Sequence, residues 1–300
     1  MMNKKNSNLK AVRHLLVCLL SCITVFAFGA NHDFNHLDLK PLAPLSVSGG
    51  QGLSGHFAGV VDGKIIVAGG CNFPNVPAAE GGEKVFYDDI YLLENAFKDN
   101  ENWKSIGKLP KAVAYGVSVS TPQGLICLGG NDGNRSLSDV YLISFQGKEL
   151  KITALSSLPV ALDNMAGCLS ENVIYVAGGQ SDGMGSNRIF KVNVEALMKG
   201  ESWEELPCFP GDFRLQPCMA VQSNAGNPNL YLMGGYAAPT ESREGVVHHN
   251  GLRLDLKSGL WSETAPILVD ADGAPRALIG AVCSVSGGSH LVFFGGVNAQ

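Results

Sequence analysis

LICLGG (125–130) is one phrase of five. IIVAGG (65–70), IYVAGG (174–179), LYLMGG (230–235) and LVFFGG (291–296) repeat it, with spacings of 60, 49, 56 and 61 residues. A single glycine pair behind an apolar run says little. Five in register are a structural repeat, and a period of this length points to stacked or radially arranged units. Ahead of each phrase lies another short run rich in small residues: HFAGVV, AYGVSVS, MAGCLS, CMAVQS and IGAVCSV. After each of the first four comes a third run, FYDDIYLL, LSDVYLIS, NRIFKVNV and, less cleanly, GLRLDL. A fourth carries Trp or Leu and ends in a proline: NWKSIGKLP, LKITALSSLP, SWEELPCFP and LWSETAP.

Four short strands per unit, with a glycine pair closing the second, describe one blade of a kelch-type β-propeller. The fold class predicted is therefore all-β. After the second strand the backbone turns sharply near a crowded axis, where φ > 0 and the missing Cβ are useful. Trp103, Trp203 and Trp261 are predicted to pack between neighbouring blades. The segment NHLDLKPLAPL (35–45) reads as a fourth strand with no first three before it, and the last unit holds only its first two strands. About four and a half blades are thus expected. The expectation is that the ring closes imperfectly with about five blades, or that a C-terminal portion is missing.

The bulk properties suit this fold. Of 300 residues, 37 are Gly and only 16% are charged, as a chain of short strands and tight turns requires. A net charge of −5 gives no electrostatic footprint for nucleic acid. Lys4, Lys5, Lys10 and Arg13 precede LLVCLLSCITVFAFGA, which ends in small residues. This is the pattern of a secretory signal, assigned to residues 1–29, with the propeller domain at 30–300. The apolar run is short for a spanning helix, so a periplasmic or otherwise exported protein is expected. A loose lipoprotein box, Leu19-Leu20-Ser21-Cys22, keeps a lipid anchor at Cys22 as the alternative.

Six cysteines follow the signal. Cys127, Cys168 and Cys283 stand in apolar strand-like runs, where a thiol acts as a small hydrophobe. None has a spacing suited to zinc. Cys208 and Cys218 are the one plausible disulfide pair.

The stretch GHFAGVVDGKIIVAGGCNFPNVPAAEGGEKVFYDDIYLL (55–93), followed by AVAYGVSVSTPQGLICLGGND (112–132), resembles the N-acetylneuraminate epimerases, or sialic acid mutarotases. The resemblance rests on the FAG strand, the long loop ending in EGxxK, the DI strand and the AYGVS strand. ELPCFPGDFRLQP (205–217) and FFGGVN (293–298) resemble further phrases of the same family. The blade order is rotated, which matches the cyclically permuted mutarotase branch. In a ring such a rotation is physically cheap, since each blade contacts only its neighbours. The resemblance implies an exported six-bladed propeller that interconverts anomers of a sialic acid without a cofactor or metal. It also implies a Glu/Arg pair on one blade as proton acceptor and partner. No stretch here matches that phrase, and Glu241, Arg243 and Glu244 of TESREG fall in another blade, so the catalytic residues stay unassigned.

Mutarotation needs a base for the anomeric hydroxyl proton and an acid to return it, with a cation for the sugar's carboxylate. The loop CNFPNVPAAEGGEK (71–84) is the longest insertion in the repeat, and long ordered loops are often functional. Glu80 and Lys84 match the EGxxK phrase. Asn72 and Phe73 are candidates to cap the channel mouth. Arg214 is the candidate for the substrate carboxylate, and His56 and Arg276 hold equivalent places before their inner strands. Each has a plain alternative: a solvated loop tip, a shaped turn or an inter-blade strut. His248-His249 reads as part of a strand or its loop.

Two other functions compete. A non-catalytic propeller binding a glycan or protein would need no acid/base pair. A copper-radical oxidase would need a Tyr/His copper constellation, which these residues do not assemble. Oligomeric state and the exact sugar acid are not set by these features.

Overall fold

The computed structural model describes residues 41–45, 47, 52–96, 98, 101–224, 226–266, 273 and 275–297. The predicted signal segment, Cys22 and most of the 35–45 run lie outside the described residues; the described part of that run, 41–45, carries no strand. Among the described residues no helix is long and apolar enough to cross a membrane.

Among the described residues four four-stranded antiparallel sheets and a terminal two-stranded one follow each other along the chain, with three small two-stranded ribbons on the connections that leave the glycine pairs. Blade 1 is Phe57–Val61, Lys64–Ala68, Asp89–Leu93 and Lys104–Lys108. Blade 2 is Val117–Thr121, Gly124–Asn131, Ser136–Gln146 and Glu149–Ala154. Blade 3 is Ala166–Ser170, Val173–Ala177, Ile189–Asn193 and Glu204–Leu206. Blade 4 is Cys218–Asn224, Asn227–Met233, Gly251–Asp255 and Trp261–Glu263. Val282–Ser286 and His290–Phe294 form the half-blade. The strand pattern is that of a kelch-type β-propeller, and four and a half blades are present among the described residues.

The second strand of blades 2 and 3 is a continuous apolar run because both its faces are buried. In blade 2, Leu125 and Cys127 join a core shared with blade 1, including Phe57, Ile66 and Ile90. Ile126 and Leu128, one residue out of phase, join a core shared with blade 3, including Ile174, Val176 and Phe190. Blade 3 repeats the division, sending Tyr175 and Ala177 toward Leu230 and Leu232 of blade 4. In these two blades alternation with period two therefore sorts the side chains of the second strand between two inter-blade cores. A smaller cluster of Cys218, Met233 and Leu278, with Cys283 and Phe293 against it, joins blade 4 to the half-blade.

The glycine pairs do more than turn the chain. Every glycine of the five pairs has positive φ. The second glycine of a pair donates its N–H to the segment entering the next blade: Gly70 to Val113 O (2.7 Å), Gly130 to Leu162 O (2.8 Å), Gly179 to Arg214 O (2.8 Å) and Gly235 to Leu278 O (2.9 Å). The first glycine lies so close to the same carbonyl that a Cβ on Gly129 would sit 2.6 Å from Leu162 O. The tryptophans also link blades. Trp203 Nε1 donates to Ser156 O (3.3 Å), Trp261 Nε1 to Pro207 O (3.4 Å) and Trp103 Nε1 to Ala43 O (2.8 Å). Ser156 and Pro207 follow the fourth strands of the preceding blades.

The proposed cysteine pair does not form. Cys208 is exposed and Cys218 buried, and both are free thiols. Cys218 opens the innermost strand of blade 4 and gives its thiol to Ala281 O of the half-blade (3.3 Å), whereas Cys208 lies on the loop leaving blade 3. One further difference from the sequence reading falls in NRIFKVNV: the strand stops at Asn193, whose side chain caps the short helix Val194–Met198 by accepting from Glu195 N and Ala196 N.

Candidate functional site

Each blade enters its first strand through a residue with left-handed backbone: Gly55, Tyr115, Asn164, Gln216 and Gly280, with φ between 50° and 66°. These residues are strung together around the axis. Tyr115 N donates to Gly55 O (2.7 Å), Asn164 N to Tyr115 O (2.8 Å), Gln216 N to Asn164 O (2.7 Å) and Gly280 N to Gln216 O (2.9 Å). The belt lines an axial channel of ≈ 650 Å³ to which all four blades and the half-blade contribute, from Ser54 to Val297.

On the side where the chain continues past the glycine pairs, two belt residues also line a polar cleft of ≈ 750 Å³ between blades 1, 2 and 3. Lys84 and Phe86 come from the loop after the first glycine pair. Asn131 and Asn134 come from the second–third strand connection of blade 2. Asp163, Asn164 and Gln180 belong to blade 3. Tyr115 and Asn164 wall both the cleft and the channel.

Asp163 is the best-connected group here. It is only 1% exposed, and its carboxylate accepts from four side chains. Asn131 Nδ2 (3.0 Å) and Ser136 Oγ (2.6 Å) reach Oδ2, while Asn164 Nδ2 (2.6 Å) and Gln180 Nε2 (3.0 Å) reach Oδ1. A buried carboxylate is tolerated only when so satisfied. The consequence is that three amides of the cleft wall are fixed in orientation by one charge. Asn164 Oδ1 in turn accepts from Gln216 Nε2 (2.8 Å), carrying the network into blade 4.

Opposite Asp163 stands Tyr115. Its hydroxyl oxygen accepts from Lys84 Nζ (3.0 Å) and from Cys71 Sγ (3.2 Å). The Lys84 ammonium also lies over the rings of Tyr115 (5.0 Å) and Phe73 (5.5 Å), a cation–π arrangement. Phe86 meets the Tyr115 ring edge-on at 6.4 Å. The hydrogen bond to Tyr115 raises the Lys84 pKa, so the ammonium stays charged at neutral pH. Burial pushes the Tyr115 phenol up.

The residues singled out in the sequence are dispersed. Lys84 lines the cleft, with Phe73 under its ammonium. Glu80 ends a short 3₁₀ turn, Ala78–Glu80, and is exposed. Asn72 is buried; its Oδ1 accepts from Tyr87 OH (2.8 Å), and its Nδ2 has no partner among the described residues. His56 lines the channel and holds Leu53 O through Nδ1 (3.1 Å). Arg276 is half-buried ahead of the half-blade. Arg214 is 3% exposed. Its Nη1 donates to Gly234 O (2.7 Å) and Asn250 O (3.1 Å), and its Nη2 to Asn250 Oδ1 (2.9 Å). Burial lowers its pKa to about 10. This guanidinium braces the fourth glycine pair. The sequence reading missed Tyr115 and Asp163. Tyr115 was inside a recognised phrase, and LDNMAG sits where AYG does one blade earlier, so aligning the repeats on their αL residues would have drawn attention to both.

The fold and the cleft define a kelch-type propeller with a ligand-sized polar cavity at its axis. Residues 25–152 match the family model described as N-acetylneuraminate epimerase. The chain is 35% identical over 134 residues to the N-acetylneuraminate epimerase of Brucella suis, a match covering 41% of this chain and 33% of that protein. It is 36% identical over 118 residues to N-acetylneuraminate epimerase 1 of Escherichia coli O6:H1, covering 35% and 30%. The matching stretch thus spans about a third of the length of these curated relatives. The solved structure of YjhT superposes with a TM-score of 0.59 at 14% identity, covering 85% of this chain and 74% of that one. The resemblance to the epimerases is thereby shown over blades 1 and 2, and the propeller fold over most of the chain.

Proposed function

We propose that the protein is an isomerase that interconverts the anomers of N-acetylneuraminate, or a closely related sugar acid, by acid/base ring opening at the cleft. The observation that carries this reading is one of coincidence. Residues 25–152, which match the epimerase family, are the residues that supply Lys84, Phe86, Tyr115 and Asn131 to the cleft wall. The chemistry asks for a proton donor and acceptor, oriented amides for sugar hydroxyls and a cation for a carboxylate. Tyr115, the Asp163-held amides and Lys84 are groups of those kinds. No cofactor enters the reading. It includes export through the segment at residues 1–29, with a lipid anchor at Cys22 as the alternative.

The test is NMR of freshly released α-N-acetylneuraminate with and without the purified protein. Faster approach to the β anomer supports the reading, and an unchanged rate refutes it. A second reading, a propeller that binds a glycan without turning it over, is favoured by one feature: all four hydrogen bonds described at Asp163 are internal. Ligand-observed NMR showing binding without rate enhancement would select it.

A further inference from the structure

Four of the five belt positions hold Gly, Asn or Gln, and one holds Tyr115. Glycine and asparagine enter the left-handed region readily; a bulky aromatic does so only where its surroundings impose it. Here they do. A Cβ on Gly55, the belt residue of blade 1, would sit 2.7 Å from Tyr115 Cδ1. That glycine therefore leaves room for the ring, and Phe86 fixes its edge. Such strain at the wall shared by two cavities points to function.

The hydrogen bonds show which function. The phenol oxygen accepts from an ammonium and from a thiol. Lys84 has no acceptor to offer in return. With its oxygen held by these two donors, the phenol has its own proton left for the cleft or the channel. Resting on the mutarotase reading, we propose that Tyr115 is the catalytic acid of the ring-opening step, with Lys84 as the positioning residue that holds its oxygen. The bond between the anomeric carbon and the ring oxygen breaks, and the ring oxygen takes the Tyr115 proton to become a hydroxyl. The anomeric hydroxyl gives its proton to a water of the cleft and becomes the keto oxygen. The tyrosinate is held by the Lys84 ammonium. Reclosure on the opposite face returns one proton to Tyr115, and the water's proton goes to the new anomeric oxygen.

The experiment is mutarotation of N-acetylneuraminate, followed by NMR, with wild type, Tyr115→Phe, Lys84→Met and Lys84→Arg. General acid catalysis contributes roughly 10²–10⁴-fold. Tyr115→Phe is expected to lower kcat about a hundredfold with KM little changed, and Lys84→Met to lower it as well. Lys84→Arg, which keeps the charge and a donor, restores most of it. A Tyr115→Phe enzyme within twofold of an active wild type overturns this proposal and leaves the mutarotase reading standing. An inactive wild type overturns the mutarotase reading and this proposal with it. If Tyr115→Phe does not fold, as judged by its thermal midpoint, the lysine pair decides: equal rates for Met and Arg at position 84 overturn the proposal.

Discussion

Replacing Gly129 by alanine separates two costs that glycine pairs are usually credited with together. The first is conformational: φ is +57° at Gly129, and a Cβ there costs about 1–2 kcal/mol. The second is the approach of the next blade. The added Cβ would stand 2.6 Å from Leu162 O, 2.8 Å from Met165 Cε and 3.2 Å from Leu137 O. Leu162 O also receives the Gly130 N–H at 2.8 Å, so moving it away breaks an inter-blade hydrogen bond. Overpacking a dense interior costs typically ~1–3 kcal/mol, and the lost bond adds about 0.5–1.5 kcal/mol. Gly147 supplies the control. Its φ is +65°, but nothing lies within 4 Å of an added Cβ, so Gly147→Ala carries the conformational cost alone. Urea unfolding of both variants is expected to show Gly129→Ala less stable than Gly147→Ala by roughly 1.5–4.5 kcal/mol, the sum of the two packing contributions. Equal losses would refute the claim that the glycine pair is required by the neighbouring blade.

Asp163→Ala removes the common acceptor of four side chains and leaves buried donors unmatched, each costing ~1–3 kcal/mol; thermal unfolding should show a large drop, and a neutral result would mean that the cleft amides are not oriented by this charge. Arg214→Ala is expected to destabilise blade 4, read as lost protection of the Gly234 and Asn250 region in hydrogen exchange. Intact protection with lost sugar binding would instead make Arg214 a ligand group. Burial lowers the pKa of His248, whose Nε2 meets Phe213 O at 3.2 Å. The unfolded chain then binds more protons below about pH 6.5, so stability should fall as the pH drops through and below that value. A His248→Gln variant should lose part of this pH dependence in urea midpoints, and an unchanged slope would sink the assignment. Burial also pushes the Cys168 and Cys218 thiols up to about 12. A thiol reagent at neutral pH should modify exposed Cys208 well before either, in native protein followed by mass spectrometry.

Much of the architecture was legible because it is written with period two and repeated. The run LICLGG needs both strand faces buried and a glycine pair to follow, and no arrangement other than stacked sheets serves five such runs. The predicted strands of blades 1 to 4 and the half-blade all fall where the structure has them. The family phrases around residues 55–132 were equally local, and comparison bears them out. The site was less legible for a physical reason. The cleft is assembled from a few residues of each of three blades, spread from Glu83 to Gln180, so no short window of sequence contains it. Lys84 stood out because its loop is long. Arg214 stood out because it is an arginine on a Pro/Gly-rich loop, yet only the packed structure shows its guanidinium against Gly234 and Asn250. Tyr115 stands inside the AYGVS phrase and Asp163 beside the matching position one blade on, but neither sequence context says what the side chain touches. Their meaning comes from what the neighbouring blades place beside them: an ammonium and a thiol on one hydroxyl, four donors on one carboxylate. Local pattern determined the blades, because backbone pairing and burial are decided within a few residues. The axial chemistry was decided by the tertiary structure alone, because it depends on which blades meet and at what distance.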